Sequence, residues 1–280
     1  MKADKLRSKI EEISKISNDV WMKSLNERKR KEFEFHNEWY DKERIDNMDE
    51  DSFEKYYSNE KFYSTVQKSD NYKDNWIKEH TKNKVFLDYA CGNGKNAIYA
   101  AKNGASLSLG FDINRTSVLN AKQTSEKEKI DNVIFFQADA ENTNLPDECV
   151  DTIICSGMLH HLDLSYSFPE LRRILAKNGR ILAIEALDYN PFIKLYRNLT
   201  PSMRTEFETE HILDHKDIEF ARRFFDVGDI KYWHVTSYAG AYVPKLLPLF
   251  NSLDSLLVKI PGVRLLSWIF TFELLKKTEK

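Results

Sequence analysis

The sequence predicts an α/β protein built on a parallel sheet with helices on its faces. From Lys84 onward, short apolar segments alternate with helical segments, which is the pattern of a parallel sheet with crossover helices. The first apolar segment runs directly into a glycine-rich turn at residues 88–94, as it does where such sheets bind a ligand. These two observations predict a doubly wound sheet.

The apolar runs place the strands. We predict strands at residues 84–90, 106–111, 133–137, 151–155 and 180–186. Helices are predicted between them at residues 95–103, 115–127 and 166–177. Two later segments, at residues 230–237 and 268–275, are predicted to close the sheet as a hairpin.

Residues 1–82 contain no glycine or proline and are rich in charged and aromatic side chains. Leu6, Ile10, Ile13 and Ile16 recur at helical spacing, which predicts an amphipathic first helix, and a second helix is predicted over residues 23–40. We interpret residues 1–82 as a helical cap or lid over a core domain of residues 83–280.

Two insertions, residues 188–229 and 238–267, are predicted within the core domain, where they would form a pocket or lid for a substrate. The leucine-rich segment 242–266 has two interpretations: a packed lid, or a surface that associates with another subunit or with lipid. Lys245, Lys259 and Arg264 are too sparse for a helix lying on a membrane, which favours the lid.

Composition restricts the class of protein. A net charge of −2 over 280 residues gives no general basic character, so we expect no nucleic-acid partner. Three cysteines are too few for a disulfide scaffold and indicate a reducing compartment. Without a signal peptide or a long apolar segment, a cytoplasmic protein with no stable membrane insertion is expected. A homodimer is possible.

The turn after the first strand indicates what is bound there. Gly92 and Gly94 let a ligand lie against bare backbone, together with Ala90 and Asn93. The glycines alone also fit a dinucleotide site, so an NAD-dependent oxidoreductase is an alternative. Asp88 favours a cationic ligand, because a carboxylate repels pyrophosphate and attracts an ammonium group. S-adenosylmethionine, which carries an ammonium and a sulfonium, fits this turn.

Polar residues follow the next strands, where the carboxyl ends of parallel strands meet. Asp112, beside Ile113, can accept hydrogen bonds from both ribose hydroxyls, or can serve as a helix N-cap. Asp139 and Ala140 can bind the amine and a ring nitrogen of adenine, and Asp139 could instead be a solvated loop acid. Ser156 ends the fourth strand and completes the predicted donor site.

The candidate catalytic residues are His160, His161 and Glu185. A histidine with an ordinary pKa of ~6.5 can take a proton near neutral pH, and Glu185 could orient it, act as the base itself, or cap a turn. No neighbouring residue completes a metal ligand set at the usual spacing, so no metal site is expected. His36, Trp39 and Tyr40 of the cap could close over the donor, where an aromatic face would attract the sulfonium, or Trp39 and Tyr40 could instead pack the helix on the core.

In this order, residues 87–94, 110–112, 139–140 and 159–162 resemble the class I S-adenosylmethionine-dependent methyltransferases. The resemblance spans about residues 84–187 and is closest to the small-molecule branch that includes quinone-biosynthesis and natural-product enzymes. It implies a seven-stranded Rossmann-like sheet whose last strand is antiparallel. It also implies O- or N-methylation of a natural product, a sugar or a lipid-like compound, with a histidine and an acid near the acceptor.

Two further alternatives stay open. A nucleic-acid or protein methyltransferase is one, although the tetrad that base-modifying enzymes often carry after strand four is replaced here by residues 156–159. The other is a donor-binding scaffold without catalysis, against which the presence of His160, His161 and Glu185 counts mildly.

Overall fold

The computed structural model describes residues 2–57 and 59–277 of the chain. Its seven-stranded sheet consists of β1 Val85–Tyr89, β2 Leu107–Asp112, β3 Val133–Gln137, β4 Val150–Ser156, β5 Leu175–Ala186, β6 Phe225–Trp233 and β7 Ile269–Lys276. The strand order is β3-β2-β1-β4-β5-β7-β6. β7 pairs antiparallel with both β5 and β6, and the other pairs are parallel. The predicted fold class, with an antiparallel last strand, is confirmed.

Helices surround the sheet. Among the described residues, seven helices precede it: α1 Lys2–Ile13, α2 Asn18–Ser24, α3 Glu27–Trp39, α4 Lys42–Asp46, α5 Glu50–Tyr57, α6 Glu60–Tyr63 and α7 Gln67–Thr81. Three lie between parallel strands: α8 Lys95–Lys102, α9 Arg115–Lys127 and α10 Leu164–Ile174. Four accompany the last strands: α11 Pro191–Leu199, α12 Glu206–Glu210, α13 His215–Ala221 and α14 Leu247–Leu257.

The predicted boundaries of β1 to β4 and of β7 agree with the structure to within one residue at each end. β6 differs, since it begins at Phe225 rather than at residue 230. Phe225 is buried and pairs with Lys276, but the register shifts between Val227 and Ile230. This irregularity at a Gly-Asp pair interrupts the alternation that the sequence pattern depends on.

The predicted helix over residues 23–40 is divided into α2 and α3. The helix is interrupted at Asn26, because the Asn26 side chain caps the start of α3. It accepts a hydrogen bond from the backbone N–H of Lys29 at 2.9 Å. The helical content of residues 1–82 therefore agrees with the prediction, while the position of one helix boundary does not.

Part of the predicted cap packs directly on the sheet. Leu6 and Ile10 of α1 belong to the main buried cluster, which also contains Phe136 of β3. Trp76 of α7 packs in a second cluster with Phe86 of β1. α1 and α7 thus cover the sheet faces, and α3 is left to cover the carboxyl ends of the strands.

The leucine-rich segment differs from a fully packed lid. Leu249 and Leu256 of α14 are each 62% exposed, so the outer face of this helix contacts no other part of the described chain closely. Its inner face is fixed by Asp254, which accepts hydrogen bonds from the backbone N–H groups of Thr236 and Ser237. Across the described residues, no helix combines the length and apolar character needed to cross a bilayer.

Candidate active site

Two adjoining cavities lie at the carboxyl ends of the parallel strands. The first has a volume of about 330 Å³ and is lined by the turn after β1, by the ends of β2 and β3, and by α3. The second, of about 680 Å³, lies between α3, α6, α11 and the end of β5. His36, Ser156 and His161 line both cavities. Two bound molecules could therefore meet at this border.

The glycine-rich turn has the left-handed backbone that its residues predict. Gly92 has a φ of +49° and Gly94 a φ of +77°, and Ala90 also lies in this region. Ala90, Gly92 and Asn93 line the first cavity, as predicted. Gly94 does not line it: a Cβ there would lie 2.5 Å from the Phe135 ring, so its role is to let α8 pack against β3.

Asp88 lines the first cavity but also holds the start of α8. Its buried carboxylate accepts hydrogen bonds from the side chain of Asn96 at 3.3 Å and the backbone N–H of Ala97 at 3.1 Å. Burial raises the pKa of Asp88 to about 7. A neighbouring cation would favour its charged form, and direct contact with a ligand remains a prediction.

Asp112 is presented to the first cavity with Ile113 beside it. Its carboxylate accepts from the backbone N–H groups of Gly92 at 2.8 Å and Asn114 at 2.9 Å. The N-cap alternative is wrong, because the side chain of Asn114 caps α9 by accepting from Ser117. Burial raises the pKa of Asp112. Each carboxylate oxygen keeps acceptor capacity, as ribose recognition would require.

Asp139 and Ala140 line the first cavity, but Asp139 is not a free loop acid. Lys29 of α3 lies 2.6 Å from Asp139 and 2.8 Å from Glu141, and Arg28 forms a second ion pair with Glu141. Burial lowers the pKa of Lys29, yet hydrogen bonds to both acids leave it raised. No role for Arg28 and Lys29 was predicted from the sequence, because a run of basic residues on a helix usually lies on the solvent-exposed face.

α3 forms the wall between the cavities. Residues four apart lie on one helical face and line the first cavity: Arg28, Glu32, His36 and Tyr40. His36, predicted to close over the donor, lines this cavity, and its contact with a donor remains a prediction. Trp39 does not line the first cavity; it lines the second, with its ring 4.5 Å from that of Tyr57. Trp39 is one position from Tyr40 in the sequence, so its side chain points away from the helical face that lines the first cavity.

His160 and Glu185 form a buried pair. Glu185 is 1% exposed; one of its oxygens lies 2.7 Å from Nδ1 of His160, and the other accepts from the backbone N–H groups of Met158 and Leu159. Because a carboxylate only accepts, Nδ1 carries the proton and Nε2 is left as the basic nitrogen. Nε2 lies 3.9 Å from Glu208, beside the second cavity.

His161 has a different environment. Its Nδ1 lies 3.0 Å from Glu32, which also receives a hydrogen bond from Thr205 and lies 3.6 Å from His36. Burial would raise the pKa of Glu32, but hydrogen bonding to His161 and His36 holds it well below its usual range. Burial would lower the pKa of His161, but the hydrogen bond to Glu32 leaves it raised. A protonated His161 cannot accept a proton.

Tertiary contact also supplies what sequence spacing could not, namely possible metal ligands. Within the described residues, two groups have ligand atoms within 4.8 Å of one another: Glu32 with His36 and His161, and His160 with His161 and Glu208. Such a donor set could hold a divalent ion. Sequence spacing could not show these groups, because Glu32 and Glu208 are distant in sequence from His161, and the absence of a metal remains a prediction.

A family model described as "Methyltransferase domain" matches residues 80–235. The chain is similar to 27-O-demethylrifamycin SV methyltransferase of Amycolatopsis mediterranei, with 32% identity over 97 residues that cover 34% of this chain and 36% of that protein. It is also similar to ribosomal protein L11 methyltransferase of Haemophilus influenzae, with 29% identity over 99 residues covering 35% and 32%. The chain thus spans about a third of the length of these curated relatives.

Solved structures share the fold. Geranyl diphosphate C-methyltransferase from Streptomyces coelicolor A3(2), solved with Mg²⁺, geranyl diphosphate and S-adenosyl-L-homocysteine, has a TM-score of 0.55 and 15% identity. The likeness covers 74% of this chain and 79% of that one. The [4+2]-cyclase SpnF has a TM-score of 0.54 and 16% identity, covering 74% and 80%.

Proposed function

Because this chain belongs to the S-adenosylmethionine-dependent methyltransferases, we propose that it methylates a small molecule held in the second cavity. The family match confirms the predicted class, a methyltransferase that uses S-adenosylmethionine. The alternative, an NAD-dependent oxidoreductase, is not supported. The acceptor and the roles of individual residues belong to the proposal.

The first cavity is the proposed donor site. Asp112 would accept hydrogen bonds from the ribose hydroxyls, and the backbone of residues 90–93 would lie against the amino acid end. Asp139 and Ala140 would bind adenine, which requires Asp139 to share its carboxylate with Lys29, 2.6 Å away. Ile113 and Ser156 supply further lining, and Ser156 lies where the donor site meets the second cavity.

A small acceptor is favoured by the shape of the second cavity. Helices of the N-terminal segment and of the segment after β5 enclose a volume of about 680 Å³, which suits a compact organic molecule. The rifamycin relative is named for a small-molecule substrate and the ribosomal relative for a protein. Enclosure by α3 and α11 supports the first kind of acceptor, and a net charge of −2 does not favour nucleic acid.

The observation that carries the mechanism is the 2.7 Å contact between His160 and Glu185 in the wall of the second cavity. S-adenosylmethionine supplies an electrophilic methyl group on its sulfonium. Nε2 of His160 would take the proton from an acceptor hydroxyl or amine as that atom bonds to the methyl carbon and the carbon–sulfur bond breaks. Glu185 fixes the ring and stabilises the imidazolium, so we assign it as a positioning residue rather than the base.

The test is methyl transfer from labelled S-adenosylmethionine into the small-molecule fraction of a metabolite extract. We expect His160→Ala to lower kcat by about 100-fold or more, the range of general base catalysis, with unchanged affinity for S-adenosylhomocysteine. Glu185→Gln should cause a smaller loss. His211→Ala, an exposed histidine outside both cavities, is the control. Label found only in protein or nucleic acid, or full activity of His160→Ala, would refute the proposal.

A further inference from the structure

We propose that Arg197 and Arg204 form a subsite for an anionic group of the acceptor. The acceptor would then be a small molecule with an apolar or aromatic body and a carboxylate or phosphate. The inference rests on the proposed function, because it names the class of molecule that enters the second cavity.

Arg197 of α11 carries the strongest evidence. It lines the second cavity and is only 6% exposed. Nη1 lies 3.2 Å from Asp188, which is shared with Lys194 at 2.7 Å. Nη2 is buried and has no hydrogen-bond partner among the residues that the structure describes. A buried charged donor without a partner is costly, so its presence in a cavity wall indicates a ligand that accepts from it.

Arg204 lies beside the same cavity, just after the 3₁₀ turn Pro201–Met203. Its side chain is 10% exposed, and Nη1 donates to the backbone and side-chain oxygens of Thr200. Nε lies 3.6 Å from Glu208, which is beyond ordinary hydrogen-bond distance. The guanidinium is thus held in place by Thr200, directly after α11, and forms a long ion pair with Glu208.

The two guanidinium groups affect each other. Burial and the charge of Arg204 together lower the pKa of Arg197 to about 10, against the attraction of Asp188 and Glu208. An anion in the cavity that both residues line would reduce this repulsion. Carboxylate and phosphate groups match the planar donor fork of arginine.

The other charged groups of the cavity are already engaged. Glu185 pairs with His160, and Asp70 lies 3.2 Å from Lys73 outside the cavity. Lys95 lines the border with the first cavity, away from α11. Glu208 also lines the cavity, 3.6 Å from Nε of Arg204, so it offsets part of the charge of Arg204 and leaves Nη2 of Arg197 as the donor without a partner among the described residues.

The subsite lies next to the proposed base. Nε of Arg204 and Nε2 of His160 lie 3.6 and 3.9 Å from the same oxygen of Glu208. One small molecule can therefore place its anionic group on the arginines and its reacting atom near His160. The acceptor atom and the anionic group would be close neighbours in that molecule.

Aromatic rings line the rest of the cavity and would contact the body of the acceptor. Phe62 is central, with its ring 5.3 Å from Tyr196, 5.7 Å from Tyr242 and 6.3 Å from Trp268. An aromatic or isoprenoid body would bury apolar area against these rings.

The experiment titrates enzyme loaded with S-adenosylhomocysteine with three probes: phenylacetate, benzyl phosphate and the neutral phenylacetamide. We expect at least one anion to bind about 10-fold or more tightly than the amide, and the tighter anion identifies the carboxylate or phosphate class. Arg197→Gln and Arg204→Gln should each remove this preference without changing affinity for the amide or for S-adenosylhomocysteine. Arg222→Gln, which removes the same charge from an exposed site, is the control.

Equal affinity for amide and anions in the unmodified enzyme, or an anion preference retained in both arginine variants, would overturn the inference. An unchanged affinity for S-adenosylhomocysteine shows that each variant is folded, and Arg204→Gln serves alone if Arg197→Gln does not fold. The titration needs no turnover. The two proposals can therefore fail separately. Label found only in macromolecules in the transfer assay would refute the proposed function, whereas the titration alone decides whether the cavity prefers anions.

Discussion

Each carboxylate of the site acquires its role from the donors nearest to it. Glu185 accepts from two backbone N–H groups and from His160, which fixes it as a support for the imidazole. Glu32 lies between His161 and His36, and its carboxylate favours the protonated form of His161 at the cavity border. Two similar acids thus act on neighbouring histidines in opposite ways: one leaves a basic nitrogen free and the other favours protonation.

The ion pair of His161 and Glu32 predicts a pH dependence. Because the pKa of His161 is raised above its ordinary 6.5, its protonation stabilises the fold fully below that pH. This stabilisation is lost as the pH rises through the folded-state pKa. We expect the free energy of unfolding of the unmodified protein, relative to His161→Gln, to fall in urea titrations as the pH rises above about 6.5 and through the folded-state pKa. A difference that stays constant with pH would contradict the assignment.

Gly94 predicts a stability effect. Alanine there would have a φ of +77° and a Cβ 2.5 Å from the Phe135 ring. We expect Gly94→Ala to destabilise the protein by about 2 to 4 kcal/mol in urea unfolding. Gly262→Ala is the matched control, because a Cβ at Gly262 has no atom within 4 Å. Its effect should stay within about 0.5 kcal/mol, and an equal loss in both variants would refute this explanation.

At the scale of elements, α3 determines the shape of the site. It contributes Arg28 and Glu32 to the first cavity, Trp39 to the second and His36 to both, and ion pairs of Arg28 and Lys29 hold it on the loop after β3. The sequence placed His36 and Trp39 together over the donor, whereas in the structure only His36 reaches the first cavity. Successive helical residues differ in direction by about 100°, so the cavity that each side chain lines depends on how α3 packs.

The first helix offers a test of which N-terminal elements are part of the core. Ile10 is 2% exposed in the main cluster, while Ile16, which follows α1, is 42% exposed. Ile10→Ala should lower the free energy of unfolding by about 2 to 5 kcal/mol. Ile16→Ala should change it by less than about 0.5 kcal/mol. Similar effects in both variants would show that α1 does not pack as described.

At the scale of the whole molecule, donor binding should stabilise the fold. S-adenosylhomocysteine at about 100 times its Kd is expected to add about 2.7 kcal/mol, raising the melting temperature by about 5 °C. The reason is that the ligand would bind only the folded chain, in which α3 and the ends of β1, β2 and β3 together line the first cavity. Asp112→Asn should reduce the shift, and the exposed Asp131→Asn should not. A comparable shift with NADH, or a full shift in Asp112→Asn, would contradict the donor assignment.

The chain by itself determined the sheet and one side of the site. Buried parallel strands are continuous apolar runs, so β1 to β4 were readable to within one residue. Residues that follow those strands must meet at one edge of the sheet, so the placement of Asp112, Asp139 and Ser156 around one cavity was also predictable.

Only the tertiary structure decided the opposite side of the site. Glu32 pairs with His161 across 129 positions, and Lys29 meets Asp139 across 110. No local pattern encodes such contacts, because helix packing brings the partners together. The same holds for Arg197 and Arg204, whose burial depends on how α11 lies against the second cavity. Local propensity fixes elements, whereas long-range packing decides which charged groups share a cavity.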